Sequence, residues 1–283
     1  MLLSIAAGVA EHAAWAGGWL LLLLGPAAIS IALVTLSAAF AEKSLLGTLG
    51  PRLHLAAIGW LGTAVHELGH ALFCPLFAHR IDEIRLFDPS MSRGSLGYVS
   101  HSWNSKNPWA KVGNLLIGLG PILLGTALIA TIFATIVGAR LEIAPVDAVR
   151  PSGGGPLENA AFVARATWSG AEALLLALSG CEATADWRLV PAAYLSISVG
   201  ASMHLSGADL RGAVAGLLFI VVLGLVETSI ARWMGWSGQA FLALALPWYG
   251  AACALVALVA ATNLTIGLLG LAAGAALRRH SFS

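Results

Sequence analysis

The most constraining feature of this chain is a series of long apolar runs that almost no charge interrupts. Residues 18–40, 53–77, 112–137, 213–230 and 241–277 are each predominantly hydrophobic. A helix needs about 20 apolar residues to cross a bilayer, and in lipid its backbone groups must pair internally. Only 10% of the residues are charged and 58% are hydrophobic, so a water-soluble surface is out of reach. The expected fold is therefore an all-α polytopic membrane protein, a single integral membrane domain over residues 1–283 with about six membrane segments. The formal net charge of +1 offers no basic face for nucleic acid. The first run lacks a preceding Lys or Arg and exceeds a typical signal core, so it is expected to remain as a spanning helix.

Between the runs the character changes. Residues 78–112 carry Arg80, Asp82, Glu83, Arg85, Asp88, Arg93, Lys106 and Lys111, with Ile81, Ile84, Leu86 and Phe87 among them. Asp88-Pro89-Ser90 then marks a turn, and Gly97-Tyr98-Val99-Ser100 resumes an extended pattern. This predicts a small β-hairpin at the membrane face. Glu42, Lys43, Pro51 and Arg52 suggest a short polar connection after the first span. Ser152-Gly153-Gly154-Gly155-Pro156 reads as a hinge, and residues 157–178 as an amphipathic or re-entrant helix. Residues 191–203 are apolar but too short to span alone. Arg278-Arg279-His280 would anchor the last segment at an interface. Cys74, Cys181 and Cys253 form no CxxC pair, and Cys74 reads as a small apolar helix residue.

Inside the second apolar run stands His66-Glu67-Leu68-Gly69-His70, an HExxH motif. Helical residues four apart share a face, so both imidazoles can reach one Zn²⁺. Glu67 is then placed to polarise the attacking water and pass its proton to a leaving amine. Titratable groups are costly in a spanning helix unless they face partners or water, which favours a site. A catalytic zinc usually has three protein ligands and one open position. Asp209 is the first choice for the third, with the alternative that it caps the helix beginning near Leu210. His204 is the rival ligand, or a group that orients Asp209 or a substrate carbonyl. Asn104, Asn107 and Asn114 are open alternatives for stabilising an oxyanion. His54 is expected at an interface, and His79 and His101 at the loop surface.

The motif in a hydrophobic segment, the charged hairpin region after it, Gly120-Pro121 downstream, and Asp209 followed by Gly212 together resemble the site-2 protease family of intramembrane zinc metalloproteases. The resemblance covers roughly residues 53–230. It implies that His66, His70 and Asp209 bind zinc and that Glu67 is the catalytic base. The family's aspartate motif reads Leu-Asp-Gly, often after Asn-Pro; this chain has Ala208-Asp209-Leu210-Arg211-Gly212, and Asn107-Pro108 lies elsewhere. Residues 138–190 are too few for an inserted PDZ-like domain. The expected function is a zinc-dependent intramembrane endopeptidase acting on a membrane protein or peptide substrate within the lipid bilayer. It would be a multi-pass protein in the cell (inner) membrane of a bacterium. The alternatives are a non-proteolytic metal-binding protein or transporter that retains the fold, and an ion path that needs no zinc. Retention of Glu67 favours hydrolysis, since binding alone does not need that carboxylate.

Overall fold

The computed structural model describes residues 2–90, 95–137, 156–179, 187–234 and 239–280. Residues 152–155 of the Gly-rich hinge, Cys181 and residues 91–94 of the hairpin loop lie outside them. The described chain is mostly helical, with one two-stranded sheet. Its elements are α1 (Leu2–His54), a π-turn at Leu55–Gly59, α2 (Trp60–Leu76), β1 (Arg80–Arg85), β2 (Tyr98–Ser102), α3 (Pro108–Gly118) and α4 (Gly120–Ile132). There follow α5 (Pro156–Ser179), α6 (Leu189–Ala201), α7 (Gly207–Trp233) and α8 (Gln239–His280).

Among the described residues, three helical stretches are long and apolar enough to cross a membrane: Leu24–Leu76, Gly207–Gly224 and Ala245–Leu277. The bent pair Pro108–Gly118 and Gly120–Ile136 makes at most a fourth. About six were expected, and the physical reasons for the difference are local. The polar patch at Glu42 to Arg52 forms no loop and is helical on both sides of one kink, so the first two expected spans run on as one stretch. Gly50 breaks it, with φ 74° and ψ 161°. The run at 112–137 bends by 57° at Leu119, and α6 has only 13 residues. The hairpin is present: β1 and β2 pair antiparallel from Arg80↔Ser102 to Arg85↔Tyr98, with an irregularity between Ile81 and Glu83.

The described residues pack as two compact units. One comprises Met1–Ser30, Arg140–Gly180 and Leu218–Leu255. There α5 and α8 approach so closely that a Cβ on Gly170 would overlap the Pro247 carbonyl, and one on Gly250 the Thr167 carbonyl. The Tyr249 hydroxyl accepts a hydrogen bond from the Ala27 backbone N–H at 2.9 Å.

The other unit comprises Ile31–Ala139, Cys181–Leu217 and Val256–Ser283, and it holds the motif. Helix α2 is two-faced. Trp60, Leu68, Leu72 and Leu76 are exposed, whereas Glu67, His70 and Cys74 are buried. The buried face meets two neighbours at glycines. A Cβ on Gly62 would collide with Ser202 after α6, and one on Gly69 would stand 2.6 Å from the Pro121 nitrogen of α4. A Cβ on Gly120 would likewise stand 2.4 Å from the Gly69 carbonyl oxygen. Small residues let backbones approach where lipid supplies no hydrophobic drive between helices. Since backbone cannot move aside as a side chain can, Gly69→Val should lower the thermal unfolding midpoint in detergent. The expected loss is about 1–3 kcal/mol, the usual cost of overpacking. An unchanged midpoint would show that this crossing is loose.

Candidate metal centre

Helical geometry puts His66 and His70 on one face of α2, but distant segments orient the rings. The His66 Nδ1–H donates to the Ser202 backbone carbonyl at 2.7 Å. That carbonyl is available because α6 ends at Ala201. The His70 Nδ1–H donates to the Ile117 carbonyl, also at 2.7 Å. Four residues beyond Ile117 stands Pro121, which has no N–H to continue the helical ladder. Gly120-Pro121 thus does two things: it permits the close crossing with Gly69 and leaves the Ile117 carbonyl open for His70.

A carbonyl only accepts, so each Nδ1 carries the hydrogen and each neutral ring has its lone pair on Nε2. Those two Nε2 atoms lie 3.3 Å apart. The Asp209 Oδ1 is 3.3 Å from the His70 Nε2, and Oδ2 is 4.0 Å from the His66 Nε2. Two lone pairs and a carboxylate facing one another at these distances repel unless a shared proton or a metal cation sits among them. Tetrahedral Zn²⁺ with bonds of about 2.0–2.1 Å sets its ligand atoms about 3.3 Å apart. The donor set His66, His70 and Asp209, whose ligand atoms all lie within 4.8 Å of one another, therefore fits such an ion. Each histidine also carries the carbonyl partner that commonly orients metal-bound imidazoles.

Asp209 serves two ends at once. It is the third residue of α7, and Ser206 is its N-cap. The Asp209 N–H donates to the Ser206 Oγ at 3.2 Å, and the Asp209 Oδ2 accepts from the Ser206 N–H at 2.7 Å. This reciprocal capping box fixes the carboxylate while leaving Oδ1 toward His70. The sequence alternatives of cap or ligand are thus not exclusive. Gly118, at the end of α3, admits the Asp209 carbonyl at 2.7 Å from where a Cβ would be, which brings α7 against the motif.

These groups line a cavity of about 660 Å³. Glu67 is 9% exposed and faces it beside Gly97, where a Cβ would lie 2.7 Å from the Glu67 Cγ, so the chain entering β2 covers this carboxylate. Of the three asparagines, Asn114 lines the cavity. Asn107 caps α3 by accepting from the Trp109 N–H, and Asn104 accepts from the Lys106 N–H in an exposed loop. His204 also lines the cavity, its ring 5.9 Å from that of His66. Its Nε2 lies 3.5 Å from the Glu42 carboxylate, outside the metal group. Cys74 is a fully buried free thiol, also outside that group.

His54 is 4% exposed and lines the cavity. Two expectations for polar residues change. His79 is likewise 4% exposed, and His101 lines the cavity, so neither is a surface loop residue. The hairpin packs against α2, with His79 buried and His101 half-buried. Burial, with His79 and then His70 nearby, holds the His101 imidazole below its ordinary pKa, and Asp82 opposes the shift. Glu42 received no role from the sequence. A carboxylate within an otherwise apolar helical stretch was the signal that marks it. Among the described residues lining the cavity, the charged or titratable side chains are carboxylates, imidazoles and the Tyr98 phenol, with no Lys or Arg.

No protein-family model, curated protein or solved structure matches the chain.

Proposed function

We propose that this protein is a zinc-dependent intramembrane endopeptidase of the site-2 protease type. The observation that carries the proposal is the pair of Nε2 lone pairs held 3.3 Å apart by carbonyl-bound Nδ1 atoms, with Asp209 beside them and Glu67 adjoining in one cavity. His66, His70 and Asp209 would hold the ion. Bound zinc supplies a Lewis acid that brings the pKa of a water to about 7 and polarises a carbonyl. Glu67 takes the proton of the attacking water on a carboxylate oxygen and hands it to the departing amine nitrogen. The Asn114 amide N–H can donate to the oxygen that gains charge at the cleaved carbonyl. The strand β2 above Glu67 offers an edge for an unwound substrate segment. The three candidate spans support reading it as a multi-pass protein, which we assign to a bacterial inner membrane.

The test is metal content and cleavage measured on one preparation. Purified protein should carry zinc, and co-expressed single-span membrane proteins should be cut within their spans. Chelation should stop the cutting and added Zn²⁺ should restore it. Cleavage that persists after the metal is removed would overturn the proposal, as would zinc-loaded protein that cuts none of a broad panel of spans.

A further inference from the structure

A second pair of histidines meets beside the metal group. His79 follows α2, and its Nε2 lies 2.9 Å from the Ala110 carbonyl in the first turn of α3. Its Nδ1 lies 3.0 Å from the Nδ1 of His101 on β2. Trp103 stacks on the other side of the His79 ring, with centroids 5.4 Å apart and planes 21° apart, which fixes its plane. Directionality now propagates. The Ala110 carbonyl can only accept, so the His79 Nε2 carries a hydrogen. A neutral His79 then has its lone pair on Nδ1, and the hydrogen between the rings belongs to the His101 Nδ1. That leaves the lone pair of a neutral His101 on Nε2, in a ring that lines the cavity.

We propose that the Ala110 carbonyl and His79 form a relay that holds His101 in its Nδ1–H tautomer, so that its Nε2 accepts a hydrogen bond from a backbone N–H of the bound peptide. The peptide half of this proposal rests on the endopeptidase function above; the relay itself does not. The reason for a relay is that an isolated imidazole tautomerises freely, and as an Nε2–H donor it would meet a peptide N–H with another N–H. Burying His79 is costly unless both its nitrogens are paired, and here both are. A strand laid along β2 would present N–H groups to that side of the cavity. His101 would therefore be a substrate-binding residue, and His79 a positioning residue acting through it.

Solid-state NMR of ¹⁵N-histidine-labelled protein in lipid bilayers, with zinc bound, reads the tautomers directly. His79 should appear as Nε2–H and His101 as Nδ1–H. In His79→Phe, which keeps a ring against Trp103, the His101 signal should shift mostly to the Nε2–H form. His79→Gln offers an N–H to Ala110 and a carbonyl to His101, and should restore it. A wild-type His101 in the Nε2–H form would overturn the relay, and so would an Nδ1–H form that persists in His79→Phe. In the cleavage assay, His101→Phe should raise KM about tenfold at unchanged zinc content, the effect of one lost hydrogen bond. An unchanged KM would overturn the acceptor role. If the wild type cuts nothing, the endopeptidase proposal falls and the NMR result still decides the relay.

Discussion

If the proposed zinc site is right, replacing His66 or His70 by alanine is expected to take bound zinc from about one per chain to background, because each removes one of the three proposed protein ligands. Asp209→Ala should weaken zinc by at least about a hundredfold, more than is usual for losing an outer partner of a ligand. His204→Ala should weaken it much less, since its Nε2 lies with Glu42 and not in the metal group. The measurement is metal content by mass spectrometry after gel filtration, with helical content checked by circular dichroism. His66→Ala also strips the Ser202 carbonyl of its donor, costing about 1–3 kcal/mol of stability, so the folding control matters. His66→Gln keeps a polar side chain at that position, and it should lose zinc all the same. Zinc retained by His66→Gln or lost in His204→Ala would assign the site to other residues.

Glu67→Gln should keep zinc and fold while hydrolysis falls by at least about a hundredfold, the lower range for loss of a general base. Glutamine preserves the size of the side chain, and the packing against Gly97 should survive. What it loses is the ability to take a proton. A protein that only binds or carries a metal should lose little, because a neutral amide can still hold a water. The readout is cleavage of the same membrane substrates by wild type and variant, with uncut substrate accumulating in the variant. Equal cleavage by the two would remove Glu67 from the mechanism.

Much of this was legible in the residues. The apolar runs call for helices long and apolar enough to cross a membrane, because lipid offers no partner for an open backbone. The spacing of His66 and His70 puts them on one helix face, because that depends only on the local repeat of 3.6 residues. The hairpin could be read from a charged segment with a turn in its middle. The span count could not. Hydropathy does not report that Glu42 to Arg52 form no loop beyond a kink at Gly50, or that a bend at Leu119 makes one run into two short helices. The placement of His54, His79 and His101 was also hidden, since a histidine beside a charged loop looks the same whether the loop projects or folds back.

By itself, then, the sequence determined the solvent, the helical class and the pair of imidazoles, all of which follow from composition and short-range geometry. Only the tertiary structure decided which nitrogens of those imidazoles are free, because that depends on the Ser202 and Ile117 carbonyls, contributed by segments far along the chain. It likewise decided that Asp209 can cap α7 and face His70 at once, and that Asn114, among three asparagines, reaches the cavity. The physical reason is the same in each case. Hydrogen-bond direction and ligand spacing are set by atoms brought together across long loops of chain, through glycine contacts whose closeness no local pattern encodes.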